Sequence, residues 1–104
     1  MTNQRVEKLK ELLAQDPGNA FMRYGLAMEY ANGGDLEQAL AEYRNLLAAK
    51  PDYPAAYFHG GRALEGLGRI DEAREMYRRG IEVTSQLGDA HTMSELRAAL
   101  DILG

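Results

Sequence analysis

Cysteine is absent from the 104 residues, which removes disulfide frameworks, thiol catalysis and cysteine-based zinc sites together and says little about compartment. Histidine is scarce. His59 and His91 are the only two, and neither has a second histidine three or four residues on, the spacing that would put two imidazoles on one helix face. Asp89-x-His91 is read more simply as a helix cap followed by a surface histidine than as a pair of metal ligands. No serine stands in a nucleophile-elbow pattern, and no glycine-rich loop follows a strand-like run. Long apolar runs are missing too, so nothing reads as a membrane span. The first eleven residues carry five charges and lack the apolar stretch of a secretory leader. Nor is there a block of one charge. Twelve Lys and Arg stand against sixteen Asp and Glu, a formal charge of −4, with the signs alternating along the chain. The densest basic cluster, Arg74, Arg78 and Arg79, is interleaved with Glu72, Glu75 and Glu82 and reads as a salt-bridged solvent face, not as the basic stripe of a nucleic-acid reader. The expectations are a cytoplasmic protein with no cofactor, no metal and no catalysis, binding neither nucleic acid nor membrane.

What the chain does have is an offset of 34 residues. Gly34-Asp35-Leu36-Glu37-Gln38-Ala39-Leu40-Ala41-Glu42-Tyr43-Arg44 lies over Gly68-Arg69-Ile70-Asp71-Glu72-Ala73-Arg74-Glu75-Met76-Tyr77-Arg78. Glycine, alanine, tyrosine and arginine coincide, and Leu36/Ile70, Glu37/Asp71 and Leu47/Ile81 are conservative partners. A period of this size on helical patterns marks a stacked helix-pair solenoid, in which no unit buries its apolar face without a neighbour.

Punctuation and periodicity predict six helices and no strand. The first covers about residues 3–15, with Val6, Leu9, Leu12 and Leu13 on one face, and ends at Asp16-Pro17-Gly18. Asn19 caps a second over 20–32, closed by Gly33-Gly34. Asp35, with Gln38 three residues on, opens a third that runs to about 49, where Lys50-Pro51-Asp52 ends it. Pro54 suits the first turn of a fourth, 54–67. The fifth, about 70–84, starts with a poorer cap, since Arg69 stands where Asp35 stood. Gly88-Asp89 leads into a sixth, 89–103, with Leu96, Leu100 and Leu103 as its stripe.

Arg23-x-x-Leu26-Ala27-x-x-Tyr30, Ala39-x-x-x-Tyr43 and Pro51 resemble the pattern of the tetratricopeptide repeat family. The second unit carries Tyr57-x-x-Gly60-Gly61-x-x-Leu64 and Ala73-x-x-x-Tyr77, then departs, with Ser85 in the place of the proline. Leu9 and Pro17 precede Tyr43 and Pro51 by 34, so the first helix matches the latter half of a unit. The resemblance implies an all-α, right-handed superhelical helix-turn-helix solenoid: a half repeat over 3–17, repeats over 20–53 and 54–87, and a capping helix over 88–104. Small Ala27 and Gly61, facing Ala39 and Ala73, suit close helix approach. Tyr43 and Tyr77 are expected to plug the gap toward the following unit. Glu95, Arg97 and Asp101 would give the last helix a polar outer face.

In the family that this chain resembles, the first helices of the pairs line a concave face that receives peptide segments. The resemblance therefore implies a groove built from Phe21, Tyr24 and Met28 on the second helix and Phe58, His59 and Arg62 on the fourth. Aromatics, Met and Arg are enriched at recognition surfaces. Tyr24 and Phe58 read equally as groove or as inter-repeat core, whereas His59 and Arg62 read as groove, because a buried arginine without a partner is costly. Some members of the family clamp acidic carboxy-terminal tails with Lys, Asn and Arg; here the corresponding places hold Tyr24, Met28, His59 and Thr92, and that clamp is absent. The expected function is a protein-interaction module that takes a peptide or helical segment of a partner, with a self-associating homodimer as the alternative.

Overall fold

Side-chain caps decide where the helices start. In the computed structural model, which describes residues 3–104, Asn19, Asp35 and Asp89 each accept from the backbone N–H three residues on: Met22 at 3.0 Å, Gln38 at 3.3 Å and Thr92 at 3.1 Å. Such bonds satisfy donors that a helix start leaves without partners. The elements are α1 (Gln4–Gln15), α2 (Ala20–Asn32), α3 (Leu36–Ala49), α4 (Pro54–Gly66), α5 (Ile70–Leu87) and α6 (Ala90–Leu103), and there is no strand among the described residues. Pro54 stands in the first turn of α4.

Three of the expected boundaries show more than the sequence reading gave them. The Asp35 cap is half a capping box: Gln38 donates its side-chain amide to the Asp35 carboxylate at 3.3 Å, while the Asp35 N–H closes the preceding helix on the Tyr30 carbonyl at 2.9 Å. Arg69 caps nothing and instead holds Glu72 through Nε and Nη2, at 2.5 and 2.8 Å. The fifth helix outruns its expected end at residue 84 and continues to Leu87, because Ser85 keeps the N–H that a proline would lack. It stops only at Gly88, whose φ is 72°.

Each helix packs on the next in the chain, and α4 also touches α2 and α6, so the even-numbered helices share one face. The described chain measures 38 × 28 × 19 Å. Ala27, Ala39 and Ala73 are fully buried, as the close-approach reading requires, and so are Tyr43, Tyr77, Leu64 and Leu96. Arg5 stands 34 residues before Ala39 and is instead exposed, its guanidinium 3.4 Å from Glu29.

Both tyrosines bond back into their own helix pair through the hydroxyl. Tyr43 faces the following pair as expected, its ring stacked 6.4 Å from His59, while its hydroxyl donates to the Met28 sulfur at 2.9 Å. Tyr77 lies against Gly61 of its own pair, where a Cβ would overlap the ring, and its hydroxyl donates to Glu65 on the same helix. What keys α6 onto α5 is Leu96, which sits with Tyr57 over Gly80; a Cβ there would meet Tyr57 at 2.6 Å and Leu96 at 2.9 Å. The sequence reading had no role for Gly80. A glycine inside a helix costs about 0.5–1 kcal/mol relative to alanine, and here it makes room for side chains from two other helices.

Candidate peptide-binding groove

Along α2, Phe21, Tyr24 and Met28 follow one another at helical spacing, and α4 presents Phe58, His59 and Arg62 beside them. Rings fill the seam between these helices. Tyr24 lies 5.6 Å from Tyr53 and 5.8 Å from His59, and Phe58 meets His59 edge-on at 5.2 Å and 90°. Such offset and edge-to-face arrangements are favourable beyond the area they bury. Burial holds the His59 imidazole below its ordinary pKa of 6.5, and the Arg62 guanidinium pushes the same way, against Glu95. Burial likewise raises the hydroxyl pKa values of Tyr24, Tyr43 and Tyr53, so the cluster is one of neutral rings.

The face opens on the other side of α4. Phe58, Arg62 and Glu65 look across a cleft of about 420 Å³ to Glu95, Ala98, Ala99 and Ile102 on α6. The Arg62 guanidinium rests over the Phe58 ring, 5.9 Å from its centroid, a cation–π arrangement that holds it at the mouth of the cleft. Ile102 is 84% exposed in this wall, and Phe21, in the first turn of α2, is 76% exposed. Large apolar side chains left in water are what an interaction surface presents.

A larger cleft, about 580 Å³, lies on the opposite side between α3 and α5. The two units differ there. Where the first has the Arg23–Glu42 ion pair at 2.6 Å, the second has Tyr57 and Met76, leaving an apolar floor. The Arg44–Glu72 pair ties α3 to α5 across it at 3.1 Å, so its opening is braced and partly occupied. Among the described residues no three His, Asp or Glu side chains converge as a metal site requires, and no helix is long and apolar enough to cross a membrane.

Residues 24–86 match the family model described as Tetratricopeptide repeat. The chain belongs to the tetratricopeptide repeat family. A TPR repeat-containing protein of Pseudomonas aeruginosa is 28% identical over 95 residues, spanning 91% of this chain and 90% of its own length. The solution structure of a Bordetella parapertussis protein superposes with a TM-score of 0.84 at 30% identity, over 99% of this chain and 89% of that one. The crystal structure of PcrH in complex with the chaperone binding region of PopD shares the fold, with a TM-score of 0.88 at 20% identity over 94% of this chain and 74% of that one.

Within this tetratricopeptide fold, the six groove residues expected from the sequence fall into three groups. Phe58 and Arg62 come together at the α4–α6 cleft. Tyr24, His59 and Met28 are half-buried in the packing between α2, α3 and α4, with Met28 under the Tyr43 hydroxyl. Phe21 lies exposed outside the ring cluster. The α6 wall was not anticipated. Its one sequence signal is Ile102, an isoleucine off the Leu96, Leu100 and Leu103 stripe but one turn from Ala98. Glu95, expected only as part of a polar outer surface, lines the cleft.

Proposed function

We propose that this tetratricopeptide repeat protein is an interaction module that takes a peptide or helical segment of a partner protein along the face shared by α2, α4 and α6, without catalysis. The tetratricopeptide fold itself matches that of protein-interaction modules. The observation that carries the finer reading is the α4–α6 cleft, where half-buried Phe58 offers an apolar anchor point, Arg62 a planar fork and Ile102 an apolar wall already in water. PcrH, which has this fold, is seen holding a segment of PopD. The groove proper is Phe21, Tyr24, Met28, Phe58, His59 and Arg62, with Tyr24 and His59 stiffening its floor. The half-repeat, two-repeat and capping-helix division is part of the same proposal, as are a cytoplasmic setting and a lack of nucleic-acid or membrane partners.

The test is capture from an extract of the source organism by the immobilised wild-type chain and by Arg62→Glu. A protein retained by the first and lost by the second supports the groove. Equal retention by both moves the binding surface elsewhere. The exposed Phe21 and Ile102 also favour a second reading, pairing of two copies through this face. Light scattering over a concentration range separates the readings, since a chain that stays monomeric at micromolar concentration removes the dimer.

A further inference from the structure

We infer that the segment taken by the α4–α6 cleft is a basic amphipathic helix, an inference that rests on the groove reading above and adds the chemistry of its occupant. A ridge of α4 and a ridge of α6 bound the cleft. On α4 the spacing from Phe58 through Arg62 to Glu65 runs seven residues, roughly 10 Å at the rise of a helix, or about two turns. Opposite, Ala98 is too small to fill the space between Phe58 and Ile102, so a large apolar side chain can enter. A ridge of such side chains repeating every three or four residues, on a third helix laid between the two, matches that length and depth.

The sign of the charge comes from the rim. Glu65 and Glu95 both face the cleft, and among the described residues no lysine or arginine lies within ion-pair distance of either. Glu65 accepts from the Tyr77 hydroxyl, and Glu95 lies 3.6 Å from the exposed His91 and near the half-buried, neutral His59. The single cation of the cleft, Arg62, is turned onto the Phe58 ring. A segment with Lys or Arg flanking its apolar stripe would bring to the two carboxylates the partners they lack. An acidic segment would set like charges against both, which is how interfaces reject wrong partners. The chain's formal charge of −4 favours the encounter in the same sense.

The experiment titrates the isotope-labelled full chain with three synthetic peptides of about four turns, identical in their Leu and Phe stripe but carrying Lys, Gln or Glu on the flanking positions. Backbone amide shifts report the site and the affinity. The expected result is perturbation confined to α4 and α6. The Lys peptide should bind at least about ten-fold tighter than the Gln peptide, and the Glu peptide should be weakest. Glu95→Gln and Glu65→Gln should each narrow the gap between the Lys and Gln peptides, while Glu82→Gln, on the exposed face of α5, leaves it unchanged. If all three carboxamide variants narrow the gap equally, the attraction is general and the inference is overturned. Equal binding of the Gln or Glu peptide in the same cleft overturns the inference but leaves the groove reading standing. Shifts elsewhere, or none with any peptide, overturn both. Broadening of the same resonances when the free chain is concentrated assigns the cleft to a second copy and also overturns the inference.

Discussion

The ring of Tyr77 lies against the backbone of Gly61, so closely that a single added methyl group would occupy the space of the ring. Gly61→Ala should therefore cost about 1–3 kcal/mol through overpacking, enough to lower the melting temperature by several degrees in a domain of this size. Gly18, in the turn after α1, has nothing within 4 Å of a built Cβ. Gly18→Ala should leave the melt unchanged or raise it slightly. Equal melts for the two variants would mean that Tyr77 has room to move aside.

Leu96 is fully buried where α6 crosses Gly80. Leu96→Ala should lose about 2–5 kcal/mol by chemical denaturation, the range for emptying a packed leucine site. Removing residues 88–104 altogether should expose Gly80 and Tyr57 and give aggregation or a broad, weakly cooperative melt. A soluble truncated chain with an unchanged transition would show that α6 is not needed to close the stack.

Arg62 is exposed, and its guanidinium rests over the Phe58 ring of its own helix. Arg62→Ala should keep the helical circular dichroism signal and a melting temperature within a few degrees of wild type, while partner capture weakens by about 1–2 kcal/mol, the cost of truncating an interface arginine. A collapsed fold would make Arg62 a structural residue.

His59 gives the fold a pH dependence whose direction is set by its surroundings. Its folded-state pKa is depressed, first by burial and then by Arg62. Below the ordinary value of 6.5 the unfolded chain takes up the proton before the folded chain does. Stability should thus fall as the pH drops from about 6.5 toward the depressed folded-state value, and level off below it. The measurement is the denaturation midpoint between pH 7.5 and 5, compared with His59→Phe, which keeps a ring in the stack. The variant should lose most of the slope; the same slope in both proteins would place the titrating group elsewhere.

Asn19 supplies the only side-chain cap on α2, accepting from the Met22 N–H. Asn19→Ala should lower stability by about 1 kcal/mol. Asn19→Asp should retain the cap, and a loss equal to that of the alanine variant would show that the bond contributes nothing.

Repetition, capping and chain punctuation are written in local residue order, and this is why the six helices could be located from the sequence. Asn19, Asp89, Pro54 and Gly34 act within a few residues of where they stand, so their effect needs no knowledge of the rest of the chain. The end of α5 is the exception: Ser85 follows the expected end at residue 84, and because it keeps its N–H the helix continues to Leu87. Ala39 and Ala73 were legible as close-contact positions because the 34-residue offset repeats them, and Ala27 because the equally small Gly61 stands at the same offset.

The site was legible only in half. Phe58 and Arg62 could be chosen as residues of one helix face, but which side of α4 is packed and which is open depends on neighbours far along the chain. His59 sits against Tyr24 of α2 and Tyr43 of α3, contacts that its own helix does not reveal. Gly80 reads as a weak point in a helix until Tyr57 and Leu96 converge on it from α4 and α6. Beyond the off-stripe Ile102, the cleft has no sequence signature, because it is the distance between two helices that do not follow one another. Periodicity and punctuation determined that this chain stacks helix pairs and, the end of α5 apart, where each helix runs, since those are properties of neighbours in sequence. Only the tertiary structure decided which aromatic side chains are spent on holding the stack together and which surface is left open, because that depends on which side chains reach each gap first.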